Sequence, residues 1–251
     1  MNKIIQGDCL EKLKELEDNL IDLTVTSPPY DNLRTYNGYT FNFEGISKEL
    51  YRVTKQGGVV VWVVGDATIN GSETGTSFKQ ALYFKEIGFN LHDTMIYQKS
   101  CYVPKTHNRY EQEFEYMFVF SKGKPKIFNP KMKTNLLKIG DTTGRHTQAN
   151  GSKKKLSAKR KEKSIETNIW KFNPDKYNSH PAPFPEQLAE DHILSWSNEG
   201  DTILDPMAGS GTTLKMAKKN NRNYIGIEIS PEYIEIINKR LNSLKVIYSL
   251  L

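Results

Sequence analysis

The chain is poor in cysteine: its 251 residues hold two, Cys9 and Cys101, far apart in sequence. Two distant thiols build neither a disulfide framework nor a zinc site. That usage fits a reducing compartment, so a cytoplasmic protein is expected. Long apolar runs are missing too. The most apolar stretch, Val59-Val60-Val61-Trp62-Val63-Val64, is much too short to cross a bilayer. The segment from Met1 to Asp8 lacks the apolar region of a signal peptide. No membrane partner is therefore expected. The glycines fall neither into GxGxxG nor into GxxxxGK[ST], which argues against a nicotinamide oxidoreductase and a phosphate loop. No internal repeat is visible. Charge of one sign is in modest excess: 35 Lys and Arg against 29 Asp and Glu give a net charge of +6. The placement of that excess carries more information than its sum.

What is present is an alternation of apolar runs and helical spacings. Ile4 and Ile5 form a short strand before Gly7-Asp8, and Leu10, Leu13 and Leu16 recur at helical spacing. Leu20 to Val25 has the pattern of a buried strand. Ile46, Leu50 and Tyr51 mark a helix, ended by Gln56-Gly57-Gly58. The valine run has the character of a central strand covered on both faces. Phe78 to Ile87 is a helix stopped by Gly88. Leu91–Tyr97 and Phe114–Phe120 are strand-like neighbours. Glu186 to Trp196 predicts a helix, Thr202 to Asp205 a strand and Asn223 to Glu228 another. Pro231 is well suited to open a last helix. Such alternation predicts an open α/β sheet, mostly parallel, with helices on both faces.

Lys122 to Tyr177 breaks the pattern. It carries Lys153-Lys154-Lys155, Lys159-Arg160-Lys161 and Lys163 among many Asn, Ser, Thr and Gly residues. An irregular insertion is expected there, with a solvated loop as the plainer reading.

Two stretches carry chemistry. The first is Ser27-Pro28-Pro29-Tyr30, which ends the strand before it. Neither proline can donate to a ladder, so the turn holds a hydroxyl, a rigid carbonyl and an aromatic ring at a strand end. The second is Asp205-Pro206-Met207-Ala208-Gly209-Ser210-Gly211-Thr212, between a strand and a helix. Gly209 and Gly211 permit a sharp turn and close approach of a ligand. An acid precedes them, and Glu228 ends the next strand, where such folds often hold ribose hydroxyls. An acidic pocket without lysine suits a ligand without phosphates, and S-adenosylmethionine has that chemistry. Gly65-Asp66 lies at the same sheet edge and reads as a turn.

Taken with Gly7-Asp8-Cys9 and His180-Pro181-Ala182-Pro183-Phe184-Pro185, these segments resemble the amino-methylating DNA methyltransferases of the permuted, beta-type order. In that family the Ser/Asp/Asn-Pro-Pro-Tyr turn comes first and the glycine turn last. The resemblance covers most of the chain outside 122–177. It implies a circularly permuted, Rossmann-like methyltransferase fold that uses S-adenosyl-L-methionine. Residues 1–121 would form the catalytic half, 122–177 the target-recognition insertion and 178–251 the cofactor-binding half. It implies cofactor roles for Asp8, Asp205, Gly209, Gly211 and Glu228, with Phe184 packing nearby. Pro206, Ala208, Ser210 and Thr212 belong to the same turn. Cys9 is a small residue beside that site.

Ser27, Pro28, Pro29 and Tyr30 would bind and activate an exocyclic amino group of a DNA base. Ser27 Oγ and the Pro28 carbonyl are the two acceptors available, and Tyr30 offers a ring for stacking. No catalytic metal is implied. Ser in the first position accompanies cytosine N4 methylation more often, Asp or Asn adenine N6, and adenine stays open as the alternative. Methylation of RNA or of a protein amide, and DNA binding without catalysis, are further alternatives. Double-stranded DNA is the expected partner, and a cognate restriction endonuclease is the usual context. Lys153, Lys154, Lys155, Lys159, Arg160 and Lys161 suit phosphates. Arg145, His146, Gln148 and Asn150 are types that read base edges. Arg34 and Tyr36 follow the catalytic turn closely enough to touch the flipped nucleotide's strand.

Overall fold

The protein is described from a computed structural model covering residues 2–29, 41–100, 108–135, 140–148, 151–160, 162–173 and 185–248. In chain order the elements are β1 (Asn2–Gln6), α1 (Cys9–Lys14), β2 (Ile21–Thr26), α2 (Phe43–Val53), β3 (Thr54–Val64), β4 (Thr68–Ile69), β5 (Ser72–Glu73), α3 (Thr76–Glu86), β6 (Asn90–Lys99) and β7 (Phe114–Ser121). There follow β8 (Met132–Thr134), β9 (Gly140–Thr147), β10 (Lys153–Arg160), β11 (Lys163–Ile165), β12 (Ile169–Phe172), α4 (Glu186–Trp196), β13 (Thr202–Asp205), α5 (Thr212–Lys219), β14 (Asn223–Glu228) and α6 (Pro231–Tyr248). The chain divides into two compact units, residues 1–129 with 168–251, and residues 130–167.

The larger unit is built on an eight-stranded sheet in the order β1-β14-β13-β2-β3-β7-β6-β12. Every pairing is parallel except those of β7 with β3 and β6. The valine run explains the centre. Val59, Val61 and Val63 pack on one face with Leu188, Ile193, Leu214 and Ile237 of α4, α5 and α6. Val60, Trp62 and Val64 pack on the other with Leu13, Ile46, Leu50 and Phe84 of α1, α2 and α3. A strand covered on both faces has no polar side to show, hence the unbroken apolar run.

Helices that follow β13 and β2 thus cover opposite faces, and the strand order reverses between these two neighbours. Crevices at such a reversal, outside the carboxyl ends of the strands, are where open α/β sheets take ligands. Here the ends of β1, β14, β13, β2 and β3 share one edge.

One expected boundary shifts. The sequence ends helix α2 at Gln56-Gly57-Gly58, whereas β3 already starts at Thr54 and runs through the two glycines. Gly57 sits at φ +81°, and the β2–β3 register slips between Ile21 and Leu23. The glycines therefore make an irregularity inside the strand rather than a helix stop.

The smaller unit holds two antiparallel ribbons, β8 with β11 and β9 with β10. The lysine-rich centre, expected to be irregular, is strand: Lys153 pairs with Thr147, Lys155 with Arg145 and Lys159 with Asp141. A turn closes the hairpin through Gln148 N–H to the Ser152 carbonyl at 2.8 Å and Gly151 N–H to the Gln148 carbonyl at 2.8 Å. At its other end the 122–177 segment contributes β12 to the main sheet, paired with β6. Among the described residues no helix is long and apolar enough to cross a membrane.

Candidate active site

The two turns singled out in the sequence meet at the reversal point. Thr26, the last residue of β2, donates its hydroxyl to Asp205 Oδ1 at 2.8 Å, and both side chains are buried. Ser27, half-buried, and Pro28, buried, continue directly from Thr26. The Thr213 hydroxyl donates to the Val25 carbonyl at 3.2 Å and ties the first turn of α5 to the same strand.

Asp205 is 5% exposed. Its carboxylate also accepts the Met207 N–H at 3.2 Å. Burial pushes its pKa up to about 6, partly offset by hydrogen bonds from Thr26 and Met207 and by the nearby Thr213 hydroxyl, while the charge of Glu228 pushes it further up. Above about pH 6 this acid is a buried carboxylate.

Glu228 closes the ring from β14. One oxygen accepts the Gly209 N–H at 2.7 Å and the other the Ser230 N–H at 2.9 Å. Burial raises its pKa, and these N–H groups pull it back. The Glu228 carbonyl accepts from Gly7 N–H at 3.0 Å, so the Gly7-Asp8 turn abuts the same strand end. Asp8 Oδ1 caps α1 through the Glu11 N–H at 2.9 Å. Cys9 behind it is buried, and burial, with the charge of Asp8, lifts its thiol to about 12. At neutral pH it is an inert thiol.

The glycine turn itself is tightly fixed. Ala208 N–H donates to the Ile227 carbonyl at 2.9 Å and Gly211 N–H to the Ala208 carbonyl at 2.7 Å. Pro206 and Ala208 are buried within it. Gly209 and Gly211 lie at φ +50° and +78°. A Cβ on Gly211 would come within 2.8 Å of Ile237 Cγ1 on α6. Gly211→Ala is therefore expected to cost about 1–3 kcal/mol through overpacking and left-handed strain, read as an earlier midpoint in denaturant titration. An unchanged midpoint would mean that α6 yields freely.

Ser210 and Thr212 turn toward α6. Arg240 donates to the Ser210 carbonyl and hydroxyl, each at 2.7 Å, and to the Thr212 hydroxyl at 3.2 Å. Its other nitrogen reaches Glu186 at 2.7 Å, and Lys215 reaches the same oxygen at 2.6 Å. Burial alone would raise the Glu186 pKa, but Lys215 and Arg240 outweigh it and hold the carboxyl below its usual value. Sequence reasoning missed Arg240, Lys215 and Thr26. Nothing in the local pattern distinguishes them, because their roles come from elements distant in the chain. Asp66 is occupied as a turn acid, accepting the Ser77 N–H at 2.9 Å at the start of α3.

Residues 21–239 match the N6/N4 methyltransferase family, described as DNA methylase. The chain belongs to this DNA methylase family. Over 248 residues it is 56% identical to the orphan methyltransferase M.BamHII of Bacillus amyloliquefaciens, spanning 94% of each chain. The fold is shared with the cytosine-N4-specific PvuII DNA methyltransferase at 21% identity and a TM-score of 0.71, over 95% of this chain and 86% of that one. It is shared as well with M1.HpyAVI, solved as a complex with SAM, at 24% identity and a TM-score of 0.65, over 96% of this chain and 100% of that one. The Rossmann-like methyltransferase fold expected from the sequence is thus present, and the protein is a DNA amino-methyltransferase of the N4/N6 class.

Of the residues that the family resemblance marks, Asp8, Cys9, Ser27, Pro28, Pro29, Asp205 to Thr212 and Glu228 lie along the one strand edge. Tyr30, Arg34, Tyr36, Asn150, Lys161 and Phe184 lie outside the described residues. Arg145, His146, Lys153, Lys154, Lys155, Lys159 and Arg160 fall on the β9–β10 ribbon.

Proposed function

We propose that this DNA methyltransferase methylates the N4 amino group of cytosine, in a nucleotide flipped out of double-stranded DNA at a short specific site. S-adenosylmethionine is the methyl donor and supplies an electrophilic methyl on a sulfonium. The observation that carries the proposal is the buried Thr26–Asp205 hydrogen bond, which sets the Ser27-Pro28 turn beside the glycine turn.

The residues present fit the donor. Asp205 is a buried anion suited to its cationic end. Glu228 stands at the strand end where a carboxylate meets ribose hydroxyls, and Asp8 flanks it toward the adenine. Gly209 and Gly211 let the backbone come close. No lysine or arginine side chain hydrogen-bonds to Asp205, Glu228 or Asp8 among the contacts described, as suits a ligand without phosphates.

On the substrate side, the amino nitrogen of a base is a poor nucleophile because its lone pair is delocalised into the ring. Ser27 Oγ and the Pro28 carbonyl accept hydrogen bonds from its two N–H groups and favour a tetrahedral nitrogen, freeing the lone pair. The prolines hold that carbonyl still, so no reorganisation is needed during reaction. Tyr30 stacks on the flipped base. Alignment of the amine for in-line attack supplies much of the remaining acceleration. The proton leaves to water, since a serine hydroxyl is a weak base.

Ser27 in the first motif position favours cytosine. Adenine N6 is the second reading, because both bases present an amino group beside a ring nitrogen and the same acceptor pair serves either. The basic β9–β10 ribbon is assigned to phosphates through Lys153, Lys154, Lys155, Lys159 and Arg160, and to base edges through Arg145. Arg34 and Tyr36 are assigned to the strand carrying the flipped nucleotide. Protection of host sites against a cognate endonuclease is the proposed setting.

The test is direct. DNA methylated by the pure protein with a labelled donor is digested to nucleosides and separated. Label in N4-methylcytosine is expected. Label in N6-methyladenine assigns the second reading, and no label in DNA rejects both.

A further inference from the structure

We infer that Thr26 is a positioning residue: its hydroxyl orients the Asp205 carboxylate toward the cationic end of the methyl donor and locks that acid to the turn that presents Ser27. The inference rests on the reading of Asp205 as the donor's charge partner. It adds a residue that lies outside both recognised motifs.

The sheet explains why such a link is needed. The β2–β13 ladder pairs Leu23 with Ile203 and Thr24 with Leu204. The paired register ends at Thr24 and Leu204. Thr26 lies two residues on, beyond the last ladder pair, and its side chain supplies a link there at 2.8 Å. It is 1% exposed, so the bond is shielded from bulk water. A hydroxyl has one proton to give, and Thr26 commits it to Asp205. β-Branching stiffens its χ1, which fixes the position of the hydroxyl oxygen against the carboxylate. The carboxylate also meets the Met207 N–H and the Thr213 hydroxyl, and the charge facing it is that of Glu228 on β14. Every hydrogen bond to the ionised form favours ionisation, while Glu228 and burial oppose it. Loss of the Thr26 donor therefore shifts the balance toward the protonated acid, which no longer attracts a cation. The next residue is Ser27, so one bond fixes both halves of the site.

The experiment measures S-adenosylmethionine binding by calorimetry from about pH 5.5 to 8.5 for the wild type, Thr26→Val, Thr26→Ser and Asp205→Asn. Ionisations of the donor are common to all four proteins and cancel in the comparison. Wild-type affinity is expected to fall as pH drops through the Asp205 transition. In Thr26→Val the midpoint moves up by about one pH unit, and Thr26→Ser returns it close to the wild-type value. A purely structural role would lower affinity in parallel at every pH with an unmoved midpoint, and that result overturns the inference. If Asp205→Asn binds as tightly as the wild type, the reading of Asp205 itself fails. If Asp205→Asn binds weakly but the Thr26→Val midpoint stays put, only the Thr26 inference fails. Thr26→Ala, a second variant without the donor, serves if Thr26→Val does not give the wild-type circular dichroism spectrum.

Discussion

Ser27→Ala is expected to slow methyl transfer about 10²–10³-fold, the usual loss when one preorganised polar group at a reacting centre is removed. The dissociation constant for S-adenosylmethionine should stay within about twofold, since an interaction made only with the reacting amine appears in the rate and not in donor binding. The separation is physical. Ser27 continues from β2, whereas the groups assigned to the donor belong to β13, β14 and the turn after β1. The Thr26–Asp205 bond joins the two sets through the residue before Ser27 and does not use the Ser27 side chain. Alanine removes the acceptor Oγ and keeps Pro28 and Pro29. Single-turnover transfer of a labelled methyl group gives the rate, and calorimetry gives the affinity. Equal losses in both would make Ser27 a structural residue of the turn, and catalysis would then rest on the Pro28 carbonyl.

The fold was legible where one physical pattern dominated. Val59 to Val64 reads as a doubly covered strand because both of its faces are buried, and the alternation of strands and helices around it fixes an open sheet. Helix α4 and strands β13 and β14 were placed by the same logic, with limits that match the structure. The reading failed where a strand pair carries few apolar residues. The β9–β10 ribbon pairs mostly polar residues and glycine, with Leu156 and Ala158 as its apolar members, and a turn around Gly151 closes it. A window without hydrophobic periodicity gives no sign of that. The double glycine at 57–58 misled for a related reason: positive φ is shared by helix stops and strand irregularities. At the candidate site, residues with their own motif were singled out in the sequence, and the ones that hold them were not. Thr26 and Arg240 act across 179 and about 30 residues of chain. Their types are ordinary for a strand end and an amphipathic helix, so only the fold reveals them.

Asp205→Asn is expected to separate stability from binding. In the unfolded chain an aspartate titrates near 3.8, and in the fold Asp205 titrates at about 6. Between those values the native state binds more protons than the unfolded one, so stability falls as pH rises through that window. Above pH 6 the buried charge costs the apoprotein about 3 kcal/mol, the free-energy equivalent of that shift. Asparagine carries no charge, and its Oδ1 can still accept from Thr26 and from the Met207 N–H. The apo variant should therefore melt several degrees above the wild type at pH 8, and the gap should shrink as pH falls through 6 toward 4. The same change removes the anion that a sulfonium and an ammonium would meet. Donor affinity should drop tenfold or more at pH 8, and the melting gain on adding S-adenosylmethionine should shrink accordingly. The opposite signs matter, because a substitution that merely damages the site lowers both stability and affinity. A variant that melts no higher than the wild type and binds the donor equally well would mean that Asp205 is a buried turn acid, held by Thr26 for packing alone. With both signs as expected, the buried carboxylate is strain held in the empty site and released when a cation arrives.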